Sequence, residues 1–416
     1  MTAPALLTRT APGPRLWRRL LLLGPAFVAA IAYVDPGNVA ANLTAGAQHG
    51  FLLVWVLVAA NAMAVLVQYQ SAKLGLATGM SLPEILGRRL GTRSRRAYWL
   101  QAEVVAGATD MAEVIGGAVA LNLLFGIPLL AGGVIVGAAS MLLLAIQSMR
   151  GQRAFESVII TLLVVIAVGF MTGLFVNPPV PGEALTGLLP RFDGVETVLL
   201  AASMLGATVM PHAIYLHSAL ARDRHGLSAG VEQTTRLIRA TRIDVVGALL
   251  VAGAVNIAML LLAASSLRGV EGTDTIAGAH AAIVSALGPV VGMVFGIGLL
   301  ASGLASTSVG CYAGATIMGG LLKVRIPIML RRLITLIPAL AVLGMGAEPT
   351  WALVVSQVLL SFGIPFALIP LIRLTGDREV MGVHVDSTPL RIAGICSAVL
   401  IVGLNVVLIV LTVLEA

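Results

Sequence analysis

Eleven apolar runs, each close to or above the ~20 residues that cross a hydrocarbon core, divide this sequence and leave little room for any other architecture. They fall at about 20–46, 51–76, 97–124, 127–148, 155–176, 197–220, 243–266, 288–320, 327–346, 351–373 and 390–413. The eighth is long enough to tilt or to extend beyond the bilayer. Charged residues make up 11% of the chain, where a soluble protein carries roughly 25%. The expectation is an all-α membrane protein.

The loops between the runs carry an alternating charge. Arg9, Arg15, Arg18 and Arg19 precede the first run, and Arg88, Arg89, Arg93, Arg95 and Arg96 follow the second. Arg150 and Arg153, then Arg222, Arg224, Arg236, Arg239 and Arg242, then Lys323 and Arg325, occupy every second loop after that. The positive-inside rule puts these loops and the N-terminus in the cytoplasm, and an odd helix count puts the C-terminus outside the inner (plasma) membrane. A net charge of +7 is spread over short loops with no aromatic-interleaved patch, so nucleic acid is excluded as a partner. The basic run Arg88–Arg96 reads as topology and lipid contact. Cys311 and Cys396 lie in apolar runs and read as buried thiols. The opening apolar run exceeds signal-peptide length and lacks a clear cleavage site, so it reads as the first spanning helix.

Two of the runs are interrupted. In the first, Asp35-Pro36-Gly37-Asn38 stands at mid-segment with no other charge nearby. A carboxylate there costs about 2.5–3.5 kcal/mol on insertion scales and marks an ion or substrate site. Pro36 removes a backbone donor and Gly37 loosens the next turn, so the helix breaks beside the carboxylate. In the sixth run, Gly206-Ala207-Thr208-Val209-Met210-Pro211-His212 forms a second interruption. Interrupted segments at matching positions point to a transporter's midplane site. Runs one and six then open two five-helix halves of opposite orientation, 20–176 and 197–373. The segment 1–19 precedes them, and the eleventh helix with the C-terminus, 390–416, lies outside the repeat.

Asp35 offers an anionic oxygen and Asn38 an amide oxygen one turn on. Met210 offers a thioether, and the Ala32 and Ala207 carbonyls are candidates for further oxygens. Mixed oxygen ligands with one soft sulfur suit a first-row transition ion better than Mg²⁺ or Ca²⁺. Helix capping is the competing reading of Asp35 and Asn38, and core packing that of Met210.

These motifs, Asp35-Pro36-Gly37-Asn38 with Met210-Pro211-His212, resemble those of the Nramp family of proton-coupled divalent-metal transporters. Arg331-Arg332 and Ser356-Gln357 extend the resemblance over nearly the whole chain. It implies a five-plus-five inverted repeat of the LeuT-like kind, with helices one and six unwound at the midplane. It implies metal ligands at Asp35, Asn38, Met210, Ala32 and Ala207, with Gln357 joining the shell in some conformations. The cargo implied is Mn²⁺, or Fe²⁺ and similar ions, imported with H⁺ by alternating access. No permanently bound cofactor, no enzymatic step and no obligate protein partner are expected, and the monomer is the expected working unit.

The third run places Glu103, Asp110 and Glu113 on adjoining faces of one helix. Their available partners are Arg331, Arg332 and His212, and a proton relay needs such a chain of groups. Structural ion pairing is the alternative for Asp110 and Glu113, and relay and structure stand level for Glu103. His212 reads as a relay group ahead of a metal ligand or a satisfied interior histidine. For His217 a bond to a neighbouring carbonyl is the alternative. Snorkelling toward the interface is the alternative for one of Arg331 and Arg332. Asn256 reads as a cross-helix hydrogen bonder, and Asp244, Asn61 and Gln68 as packing or helix-end residues.

Overall fold

The computed structural model describes residues 24–226, 230–273, 275–324 and 326–415. The segment 1–19 with its arginines, the beginning of the first run at Leu20–Leu23, and Arg325 lie outside the described residues. Every regular element among those residues is a helix.

The first run folds as α1 (Pro25–Ile31), a 3-10 turn (Ala32–Val34) and α2 (Pro36–His49). The second is α3 (Val54–Thr78), followed by α4 (Leu82–Arg89) in the basic loop. There Glu84 accepts the Ser81 backbone N–H at 2.7 Å, closing a capping box that starts α4. The remaining runs of the first set are α5 (Thr92–Phe125), α6 (Leu129–Arg150) and α7 (Gln152–Val176). A loop helix, α8 (Pro181–Thr186), leads to the second interrupted run, α9 (Gly194–Thr208) and α10 (Pro211–His225). Then come α11 (Val231–Ser266), the short α12 (Ile276–Leu287), α13 (Pro289–Leu322), α14 (Ile328–Gly344) and α15 (Pro349–Thr375). A turn of helix, α16 (Arg378–Met381), precedes the last, α17 (Thr388–Glu415).

All eleven runs therefore have helical counterparts. Nine spans among the described residues are long and apolar enough to cross a membrane. The other two are α14, with 17 residues, and the first run, cut at Asp35. Hydropathy misplaced some ends: α5 begins at Thr92 and α11 at Val231, well before the runs at 97 and 243. The arginines that end an apolar run do not end a helix, because they continue it into water. At 34 residues α5 and α13 are about 50 Å long, so both extend beyond a ~30 Å core.

The interrupted helices sit at the centre. Of the most apolar stretch of α9–α10, 94% is buried, against 33% for α6 and for α17. The central helices α5 and α13 pack along each other, and α11 packs against α2 and α3. Asp244 of α11 accepts the backbone N–H of Gly24 (3.2 Å) and Ala26 (3.1 Å), fixing the start of α1; its reading as a helix-end residue holds. Cys311 is buried, but Cys396 is exposed. The cause is simple: α17 packs by one face only, and Cys396 lies away from it, one turn from the exposed Ile392.

Candidate metal site

Both interruptions are proline-started helices. Pro36 is the first residue of α2, and Asp35 before it is extended (φ −72°, ψ 167°). Pro211 is the first residue of α10, and Met210 before it is likewise extended (φ −62°, ψ 122°). The residue before a proline avoids helical backbone, and proline fits a first helical position, so each proline ends one helix and starts the next.

Asp35 caps α2 by accepting the Asn38 N–H at 2.8 Å. The capping reading is thus realised, and it accounts for only part of the geometry. The Asn38 amide nitrogen also donates to Asp35 Oδ1 (2.8 Å) and to the Ala207 carbonyl (2.9 Å), joining the first interruption to the second. Gln357 of α15 donates to Asp35 Oδ2 at 3.2 Å. The Asn38 and Gln357 amide oxygens are buried with no hydrogen-bond partner. Oxygens left in that condition cost about 1–3 kcal/mol each, and a cation would relieve it. Met210, three residues beyond Ala207, is fully buried, as are Asp35, Asn38, Ala32, Ala207 and Gln357.

Close packing makes the meeting possible. A Cβ on Gly37 would collide with the Gln357 side chain, and one on Gly206 with the Gln357 carbonyl. Gly37 does not serve to loosen a turn, since it lies within α2; it admits a side chain from α15. Two carbonyls freed at the first break are taken: Asn256 donates to Tyr33 O (2.6 Å) and Ser302 to Val34 O (2.5 Å). Among the described side chains none donates to the Ala32 carbonyl.

A column of titratable groups adjoins this site. Asp110 pairs with Arg332, whose Nε donates to Ser140 Oγ at 2.7 Å. Arg331 pairs with Glu103 at 2.6 Å. Neither arginine snorkels: they are 4% and 0% exposed, because α14 lies against α5 and α6 and each guanidinium finds a carboxylate there. Glu113 is fully buried, with both oxygens unpartnered, in space that Gly310 of α13 leaves open. His212 Nδ1 lies 3.5 Å from Thr109 Oγ1, beside Asp110. His217 bonds the side-chain carbonyl oxygen of Gln68 on the neighbouring α3, Oε1, at 2.8 Å, and Gln68 in turn donates to the Tyr33 hydroxyl at 2.5 Å. Among the described residues no three His, Cys, Asp or Glu side chains converge as a metal cluster. The interruptions supply one carboxylate, one amide, a thioether and main-chain carbonyls, and α15 adds a second amide, Gln357.

Residues 26–411 match the profile of Nramp, described as natural resistance-associated macrophage protein-like. The chain belongs to the Nramp family. Among its Nramp relatives, it is 60% identical over 392 residues to the divalent metal cation transporter MntH of Mycobacterium tuberculosis, covering 94% of this chain and 92% of that one. It is 46% identical over 402 residues to MntH of Bacillus subtilis, covering 95% and 93%. An Eremococcus coleocola manganese transporter, solved with an aromatic bis-isothiourea compound, superposes with a TM-score of 0.84 at 28% identity. That match covers 96% of this chain and 88% of the other. The nucleobase-cation-symport-1 transporter MHP1 (TM-score 0.61, 16% identity) covers 94% of this chain and 92% of its own. It shares the fold alone.

The sequence reading of this Nramp protein did not single out Tyr33, Asn42, Ser302 or Thr208. Tyr33 carried a signal, an amphipathic ring inside an apolar run two residues before Asp35. Ser302 carried none, since a serine in a small-residue helix is ordinary.

Proposed function

We propose that this Nramp protein imports divalent transition-metal ions, chiefly Mn²⁺ and also Fe²⁺, together with protons, by alternating access across the inner (plasma) membrane. The observation that carries the reading is the Asn38 amide. Its nitrogen stands between Asp35 Oδ1 and Ala207 O, at 2.8 and 2.9 Å, where a cation bridging the two interruptions belongs. Turning that amide over would bring its oxygen to the cation and free both bridged oxygens. Asp35, Asn38, Ala207, Met210 and Gln357 would form the shell with the Ala32 carbonyl, and the thioether favours transition ions over Mg²⁺ and Ca²⁺.

Complete burial of the ligands supports alternating access, because cargo cannot reach or leave a sealed site unless the flanking helices move. We assign the two halves, 20–176 and 197–373, as inverted repeats that move against each other, with 390–416 outside them. The basic loops face the cytoplasm, the C-terminus lies outside, and the monomer is the working unit. No bond is made or broken. The proton leaves the neighbourhood of Asp35 by way of His212 and Thr109 to Asp110, with Glu113 beside it, and goes on past Arg332, Arg331 and Glu103; His217 and Gln68 flank the route at Tyr33.

Proteoliposomes under an inward acid gradient test the coupling. Wild type should take up Mn²⁺ faster with the gradient than without it, and should acidify the lumen as it does so. Asp110→Asn should bind Mn²⁺ but lose most of the proton uptake. Proton flux equal to wild type would remove Asp110 from the route.

A further inference from the structure

Far from the metal site, α15 and α17 enclose a groove of about 580 Å³ that opens on the outer surface of the bundle. Its walls are apolar, with Ile369 on α15 and Ile395, Val399 and Val402 on α17, and its polar side chains are Arg373 and Arg391. We infer that this groove binds an anionic phospholipid of the adjacent leaflet, the phosphate between the two arginines and one acyl chain along the apolar wall. The inference does not depend on the metal assignment.

Charge is the first argument. Arg373 lies in the last turn of α15 and Arg391 in the first turn of α17, so both mark the same end of the groove. Arg391 folds over the end of α15, its Nε 3.3 Å from where a Cβ of Gly376 would stand. Among the described residues neither guanidinium has an ion-pair partner, although acidic residues lie in the intervening loop. Asp386 is held by Lys73 (2.7 Å) and Gln70 (2.8 Å), and Asp377 faces Arg89 at 3.7 Å. The loop thus spends its aspartates on α3 and α4 and leaves two arginines facing the groove. Arginine's planar fork suits phosphate, and basic pockets at helix ends recruit anionic headgroups.

Length is the second. Residues 391, 395, 399 and 402 recur at helical spacing on one face, and eleven residues at 1.5 Å span ~16 Å, about half of a ~30 Å hydrocarbon core. The groove therefore runs one leaflet deep below its cationic end, which matches a lipid tail and exceeds what a free phosphate needs. An occupant here would wedge α17 against α15, the helix that carries Gln357 and the internal prolines Pro365 and Pro370.

The test is native mass spectrometry of the full chain released from detergent. Phosphatidylglycerol and phosphatidylcholine with identical acyl chains serve as probes, and inorganic phosphate as the chain-free arm. Wild type should retain phosphatidylglycerol in preference to phosphatidylcholine and should retain no phosphate. The exposed pair R373Q/R391Q should bind phosphatidylglycerol roughly 30-fold more weakly, about 2 kcal/mol at 1.4 kcal/mol per decade. Val402→Trp, which blocks the deep end without touching a charge, should also lose retention, while Arg150→Gln at the exposed end of α6 should not. Equal retention of the two lipids by wild type overturns the proposal. So does undiminished phosphatidylglycerol binding by either groove variant, or a lipid-free dimer that buries this face.

Discussion

The two interruptions look alike in sequence, each a proline after an extended residue, yet they are held quite differently. Around the first, side chains from four other helices take up what the break releases. Asn256 of α11 holds the Tyr33 carbonyl, Ser302 of α13 holds that of Val34, Gln68 of α3 reaches the Tyr33 hydroxyl, and Gln357 of α15 reaches Asp35. At the second, Met210 offers no capping side chain, Thr208 Oγ1 is buried without a partner, and the Ala207 carbonyl is held from the first interruption by Asn38. The difference follows from charge. A carboxylate buried in apolar surroundings has to be fixed by polar neighbours, whereas a thioether is content among hydrocarbons. The first interruption is a scaffold for an anion; the second is a soft wall free to shift against it.

That contrast can be broken where it is strongest. Asp35→Ala removes the charge on which the scaffold is built, and Mn²⁺ uptake into proteoliposomes should fall to background. Measurable uptake at the wild-type rate would mean that the anion is not the cargo's main ligand. The next largest effect belongs to the scaffold itself. Asn256→Ala leaves the Tyr33 carbonyl unpartnered and strips the Asn42 amide of its acceptor at 3.0 Å. With about 1–3 kcal/mol at stake for a buried unsatisfied group, uptake should drop around tenfold while the purified protein remains monodisperse. If it transports normally, the first break does not need its carbonyls held.

The positions of both breaks were legible because a charge, two prolines and a mid-segment polar cluster contradict their apolar surroundings. Helix count and order were legible because apolar runs of spanning length and the alternating loop charges are local patterns. What could not be read was which side chains serve the breaks. Gln68 looked like a packing residue, and only the crossing of α3 with α10 and the first break makes it the link between Tyr33 and His217. Gly37 read as a loosened turn, and the approach of α15 makes it a clearance instead. Adjacent arginines at the start of a run suggest that one reaches for the interface. Burial of both depends on carboxylates more than 220 positions away in sequence, a separation that no local pattern records.

At the second interruption the expected effects are smaller and change character. Met210→Ala takes away sulfur without disturbing any hydrogen bond, so Mn²⁺ transport should fall by only about threefold, half a decade or ~0.7 kcal/mol. Competition by Mg²⁺ and Ca²⁺, weak in wild type, should become pronounced, because the remaining oxygen shell suits hard cations. Retained discrimination in a competition assay would take selectivity away from the thioether. The smallest effect is expected at Thr208, the residue after the Ala207 carbonyl that Asn38 holds. Its hydroxyl has no partner to lose, so Thr208→Ala removes an unsatisfied group, which can be neutral or stabilising. Mn²⁺ uptake within about twofold of wild type, with an unchanged or raised melting temperature, is the outcome a soft wall predicts. A tenfold loss would show that this hydroxyl acquires a partner in a state that the sealed site must pass through, and the second interruption would then need its polar groups as much as the first.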